Sequence, residues 1–388
     1  MLSRSNPKSA VARSAVALIA ILLVLGTVGC NQATPGESTV PGQQAPTGDR
    51  PAAPPDNAEE TAKPDVGGDA GTDRETPAGT GAEETGGEDA PAAGPPTSSA
   101  AAAATALVEA VLPTYVRAFG VPGSGKGELM LPFDVALDSA GDIFVSDSTG
   151  VQKFDPEGSF ITQIGEGEVL TALGGIAIGP DDTLYVTGFE SQVLTYGPDG
   201  DSRGPIGESG SAPGQLARPV DVAVDAGGNI YVADAQNARV EKFDPAGRHL
   251  ATIGEPGTGR GQFRTPRAVA IDVDGNVIVG EGDNFLLQRF TPDGEYIDTF
   301  GMSHADENIW RIGGIAIGND GMVYVTQAME NRLQAFDPAD DYSLAWEFGS
   351  LGAGNGQFST PMGMDFAGGL LYVADQMNNR VVVYRPMR

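Results

Sequence analysis

The chain has 388 residues, with 52 Asp and Glu against 23 Lys and Arg for a formal net charge of −29, plus 55 Gly, 28 Pro, one Cys and two His. A surface this acidic repels phosphate backbones, so nucleic-acid partners are not expected. One cysteine excludes an internal disulfide framework or a multi-cysteine zinc site, and two histidines exclude a three-histidine centre.

Residues 1–30 place Arg4, Lys8 and Arg13 ahead of an apolar run from Ala15 to Leu25. Basic residues before a short apolar core mark an export signal, and the run is shorter than the ~20 residues of a spanning helix. Its end, Thr27-Val28-Gly29-Cys30, resembles the lipobox of bacterial lipoproteins, with Thr27 where that box usually has Leu. The resemblance implies a lipidated Cys30 and a place in the cell envelope, lipid-anchored to the membrane and facing outside the cytoplasm. Residues 31–112 are Ala, Pro, Gly, Thr, Asp and Glu with almost no large apolar side chain before Leu107. Such a stretch cannot offset its chain entropy by burial, which predicts a disordered tether with a reach of ~50 Å. Helix formers over Ser98–Leu112 predict at most a short helix, stopped by Pro113.

From residue 113 to 388 the chain repeats. Phe-Gly or Ile-Gly pairs end at Gly120, Gly165, Gly207, Gly254, Gly301 and Gly349. Within each interval an alternating strand (FDVALD, VDVAVD, RAVAID) is followed by a Gly/Asp turn and a second strand (DIFVSD, NIYVAD, NVIVGE). A third strand then runs into FDPEG, FDPAG or FTPDG, and a short fourth closes the unit. Period-two hydrophobicity between Gly, Asp and Pro turns means strands. Four strands at this period mean propeller blades. The expectation is an all-β, six-bladed β-propeller of four-stranded antiparallel blades. The last unit stops after Arg380–Tyr384, and Tyr115–Phe119 supplies its fourth strand, closing a monomeric ring without a free edge.

These segments resemble the NHL repeat family, most clearly over Gly257–Val279, over Ala217–Gly247 and in the final unit. The resemblance implies the propeller fold for residues 113–388. It leaves function open, since such propellers include enzymes, RNA binders, sensors and scaffolds. It also implies a structural role for Asp234 with Arg239 and Asp375 with Arg380, each pinning a loop.

Strand order puts the loops between second and third strands on the same face as the glycine-rich connectors between blades. That mouth face is the expected ligand face. Aligning the first strands sets Asp134, Gly175, Asp221, Ala268, Gly314 and Gly363 at equivalent axial positions, with Arg267 one residue earlier in its blade. Two carboxylates and a guanidinium there could hold a divalent cation and an anionic group, or simply line a wet channel. Arg218, Arg264 and Arg311 precede first strands and suggest a locally positive mouth, unless salt bridges absorb them. The connector Met302–Gly314 brings His304, Asp306 and Glu307 with metal-ligand chemistry and Trp310 for stacking, or a Trp packed beneath polar residues. His249 reads as a surface residue, and Asp272–Asn276 as a hairpin turn rather than a calcium loop.

The sequence therefore points to a tethered extracytoplasmic binding module, a sensor or scaffold, engaging a protein, peptide or glycan on the mouth face. No cofactor is predicted, and a divalent cation in the central channel would fall to Asp134 and Asp221. The alternative is a divalent-metal-dependent propeller enzyme of lyase or lactonase type. Those relatives use metals held by histidines or clustered acidic ligands at the axis, and no complete catalytic set is evident.

Overall fold

A computed structural model describes residues 112–165, 173–188, 191–282, 286–301 and 312–387. Cys30, the linker and the predicted short helix lie outside the described residues. Six four-stranded antiparallel sheets follow one another in sequence. Their first strands are Asp134–Leu137, Leu173–Ile178, Pro219–Val224, Pro266–Ile271, Ile312–Ile317 and Pro361–Ala367, opening blades 1 to 6. Each first strand adjoins that of the next blade, and blade 6 adjoins blade 1, so the six form the inner wall of a ring.

The apolar pattern explains this arrangement. Second strands such as Ile143–Asp147 and Ile230–Asp234 are buried throughout, because both faces of each blade are covered by neighbours. Their side chains alternate between two interfaces. Phe144 joins the core shared by blades 1 and 2, while Ile143 and Val145 join the core shared by blades 6 and 1. Such an apolar core fills each of the six blade interfaces. A run of consecutive apolar residues in a second strand is therefore two alternating faces, both dry.

Ring closure is as the sequence predicts, with the outer strand one residue longer. Thr114–Phe119 pairs antiparallel with Arg380–Arg385, Thr114 opposite Arg385 and Phe119 opposite Val381. Val381–Tyr384 is fully buried as a result.

Four connectors share one construction. In the third of them, Glu255–Pro256 pairs parallel with Gln262–Phe263. Gly261 turns at φ 73°, in the left-handed region that favours glycine. Gln262 Oε1 accepts the Gly259 N–H at 3.1 Å. Phe263 is then driven into the interface, fully buried, its ring 5.4 Å from that of Phe290. Leu129, Leu216 and Phe358 fill the same position elsewhere. The spacing of glycine, glutamine and a large apolar residue thus encodes a turn, a brace and a plug. Phe263→Ala should cost about 3–5 kcal/mol of unfolding free energy, measured by urea denaturation. A loss under ~1 kcal/mol would show that the plug does not hold the blades together.

Candidate functional site: the axial channel and the connector face

The first strands enclose a channel of about 340 Å³ whose lining includes Asp134, Asp221, Asp365 and Arg267. Asp134 and Asp221 are the aligned pair expected from the sequence. Asp365 is an addition. It sits two residues further along its strand than the aligned position held by Gly363, so alignment of one layer misses it. Comparing the whole first strand, Met362-Gly363-Met364-Asp365, would have found it.

All three carboxylates work in the same way. Asp134 Oδ1 accepts the N–H of its neighbour Val135, and Oδ2 accepts the Ile176 N–H of blade 2, both at 2.8 Å. Asp221 accepts the Val222 N–H and the Val269 N–H of blade 4, both at 2.9 Å. Asp365 accepts the Phe366 N–H at 2.7 Å and the Leu137 N–H of blade 1 at 2.9 Å. Each one is a stitch between consecutive blades.

The axial glycines are the counterpart. A Cβ on Gly363 would collide with Asp134 Oδ1, and one on Gly175 with Asp221 Oδ1. A Cβ on Gly314 would lie 2.7 Å from the Gly363 Cα. Hydroxyls on the second strands complete the inner ring. Ser146 Oγ donates to the Gly174 carbonyl at 3.0 Å, and Thr326 Oγ1 to the Met362 carbonyl at 2.7 Å.

Burial raises the Asp134 carboxyl well above the ordinary carboxylate range, and the charges of Asp221 and Asp365 add to it. Asp221 is raised to about 7, chiefly by burial, against the pull of two backbone N–H groups and of Arg267. Burial also raises Asp365. Among the described residues no three His, Cys, Asp or Glu are placed to hold a metal ion. With every axial carboxylate oxygen already accepting a backbone N–H, the described residues do not fit a metal centre in the channel.

The connector face begins where the first strands start. Asp234 is fully buried and accepts the Ala217 N–H at 2.7 Å and the Asn237 side-chain amide at 2.6 Å, with Arg239 Nε 3.5 Å away. Arg239 donates to the carbonyls of Ser211, Ala212 and Gln215 in the incoming connector. Asp375 likewise takes the Ser359 N–H at 2.7 Å and Arg380 Nε at 2.8 Å, and Arg380 reaches the carbonyls of Ala353 and Gln357. Two further carboxylates share this duty. Asp147 accepts the Met130 N–H, and Glu281 the Arg264 N–H. They end second strands just as Asp234 does, so aligning SD, AD and GE would have revealed them.

Arg218 and Arg264 are both exposed on this face. Arg218 adopts a left-handed backbone at φ 67°. Arg267 runs beside Gly282 at the channel entrance. His304, Asp306, Glu307, Trp310 and Arg311 lie outside the described residues. His249 lies on an outer strand, partly exposed, and has a partner that its own strand does not suggest. Its Nε2 lies 2.7 Å from Oε2 of the fully buried Glu241, whose Oε1 faces Arg239 Nε at 2.8 Å. Glu241 stands where blades 1, 4 and 5 carry Gln152, Gln288 and Gln334, and that substitution was the signal for a partner.

Two predictions follow from the axis. Gly363→Ala should cost about 1–3 kcal/mol by overpacking, and adding Asp134→Ala should leave the double variant more stable than the two losses summed. Strict additivity in denaturant melts would refute the contact. Because folding raises the axial pKa values, the folded state binds these protons more tightly than the unfolded chain. The stability that protonated Asp221 contributes is complete below about pH 4 and is lost as pH rises through about 7. The melting temperature should therefore fall by several degrees between about pH 5.5 and pH 8, and Asp221→Asn should flatten that slope. An unchanged slope would remove Asp221 as the titrating group.

The NHL repeat model matches residues 216–243. No functionally curated protein matches the chain in sequence. Solved structures similar in fold include virginiamycin B lyase from Staphylococcus aureus, at 14% identity and TM-score 0.51, covering 69% of this chain and 83% of that one. A streptogramin B lyase aligns at 14% identity and TM-score 0.51, covering 71% and 98%. A protein of unknown function from Bacteroides thetaiotaomicron aligns at 17% identity and TM-score 0.55, covering 69% and 73%. At these identities the likeness is one of fold, and the chain is a six-bladed β-propeller that carries an NHL repeat.

Proposed function

We propose that this protein is a lipid-anchored extracytoplasmic binding module, a sensor or scaffold, that engages a protein, peptide or glycan with its connector face. The observation that carries this reading is the contrast between the two faces of the ring. The turns joining first to second and third to fourth strands hold 17 Asp and Glu against a single base, Arg248. The described connectors on the other face expose Lys126, Arg218, Arg260 and Arg264 against Glu208 and Glu255. Thr114 starts the outer strand beside Arg385, at the acidic end of blade 6. The chain that precedes the propeller thus joins it on the acidic face, and the connectors point the other way. An anionic membrane surface repels the acidic face, which would leave the connector face turned outward and accessible.

The second reading, a divalent-metal-dependent enzyme of lyase or lactonase type, draws on the likeness in fold to virginiamycin B lyase. Against it stands the commitment of Asp134, Asp221 and Asp365 to bonds between blades. Two measurements separate the readings. EDTA should leave the melting temperature of the purified chain unchanged, and a drop of many degrees with stoichiometric bound metal would restore the enzyme. A photo-crosslinking residue at Arg264 should give adducts in cells producing the chain, and one at Asp274, on the acidic face, should not. Adducts from Asp274 alone would place the binding face on the wrong side.

A further inference from the structure

The connector face is itself divided. Four of its described side chains are large, apolar and exposed: Val121 at 57%, Met329 at 49%, Leu351 at 68% and Met377 at 56%. All four fall in blades 5, 6 and 1. The remaining exposed large apolar side chains among the described residues lie on outer strands or, for Val273, on an acidic-face turn.

Hydrogen bonds tie these four positions into one arc. Asn331, two residues after Met329, accepts the Thr360 N–H at 2.8 Å and so docks on the connector that carries Leu351. Asn378, beside Met377, donates to the Gly352 carbonyl at 2.8 Å, next to Leu351. Asn379 accepts the Leu131 N–H at 2.9 Å, from the connector that carries Val121. Asn331 and Asn379 hold left-handed backbone at φ 58° and 52°, which fixes both methionine loops in tight turns. The arc is pre-organised, so little ordering opposes binding. Its blade 6 part also lacks charge: residues 349–360 and 376–379, which carry Leu351 and Met377, contain no Asp, Glu, Lys or Arg, whereas Glu330 adjoins Met329 and Lys126 and Glu128 lie in the connector of Val121.

Across the channel, blades 3 and 4 expose Arg218, Arg260 and Arg264. The acidic face does not cancel them. A strand of five or six residues spans ~17–20 Å, about two Debye lengths at physiological salt. The local field at the connectors is set by the connectors' own charges, here Arg218, Arg260 and Arg264 against Glu208 and Glu255.

We infer that this apolar arc, together with the arginine sector of blades 3 and 4, is a docking surface for a polypeptide segment that presents apolar side chains and carboxylates. The inference rests on the binding-module reading and names its partner's chemistry. Exposed apolar side chains gathered on one face mark an interaction site, and thioethers adapt to apolar side chains of different shape. A basic segment would be drawn to the opposite face instead.

The test pans a phage-displayed random dodecamer library on the immobilised full chain. Enriched peptides should combine at least two large apolar residues with Asp or Glu. Their binding should weaken ~10-fold or more in the double variant Leu351→Glu, Met377→Glu, and severalfold in Arg264→Glu. Val273→Glu, on the acidic face, should change nothing, and circular dichroism should confirm that every variant is folded. Enrichment of Lys- and Arg-rich peptides, no enrichment at all, or binding that survives the arc variants would each overturn the inference. Crosslinking in cells separates this from the broader reading. If adducts at Arg264 persist while the arc variants retain peptide binding, the arc is wrong and the face is right. If no adduct forms at the connector face, the binding-module reading falls as well.

Discussion

Six strands can surround one narrow axis only if almost nothing projects inward from them. That constraint selects Gly175, Gly314 and Gly363 on three first strands, where backbones or carboxylates of neighbouring blades occupy the space of a side chain. It also explains why the polar residues admitted there are short. An aspartate reaches just far enough to accept an N–H from the next blade, as Asp134, Asp221 and Asp365 do. The inner ring is thus held by carboxylates that double as spacers. Their crowding has an electrostatic consequence, since Asp221 and Asp365 raise the cost of ionising Asp134 while Arg267 favours the ionised form of Asp221. A channel assembled this way is a structural hub, and the differences between blades are largest outside it.

Much of this was legible in the sequence because the repeat writes each element six times. Strand alternation, the blade count and the closing strand all follow from local patterns that any one blade shows weakly and the set shows together. The axial pair Asp134 and Asp221 was legible as position, but not as role. Which N–H a carboxylate accepts depends on the stagger between neighbouring blades, and strand periodicity within one blade does not encode that stagger. Asp365 escaped for a related reason: it occupies a deeper layer of the channel than the aligned position. His249 was legible as a residue of the outer rim, where its side chain stays partly exposed, but its ion-pair partner was not. Its partner Glu241 lies on the adjacent strand, where no pattern within the histidine's own segment reveals it.

The departures between blades are compensated rather than random. Gln152 and Gln288 each accept an N–H from, and donate to, the backbone of the connector beside them, serving both of its polar groups at once. Glu241 has no proton to donate when ionised. In that blade Arg239 supplies the bond to the Gln215 carbonyl and neutralises the carboxylate. Blade 6 has Val382 at this place, and there Arg380 takes the Gln357 carbonyl while the Tyr384 hydroxyl accepts the Gly356 N–H. Three solutions satisfy the same connector carbonyl, and two of them its glycine N–H as well. Equivalent scaffolding with different side chains lets the blades present unequal surfaces without weakening the ring.

The charge contrast between the faces has a cause of the same local kind. On the acidic face, Asp138, Asp155, Asp225, Asp244 and Asp272 each use one oxygen to accept the N–H groups two and four residues ahead. Aspartate is the turn-maker in these five of the eleven turns, so part of the negative charge on that face is a by-product of building them. The connectors turn on glycine and are braced by glutamine in three cases out of the four described, which leaves their charge unconstrained by folding. Arg218, Arg260 and Arg264 therefore carry information that the acidic residues do not. No turn requires a guanidinium at those positions, and no fold rule requires Leu351 or Met377 to face water. Where local structure explains a residue type, function need not be invoked; where it does not, the residue's placement is the better guide to what the protein meets.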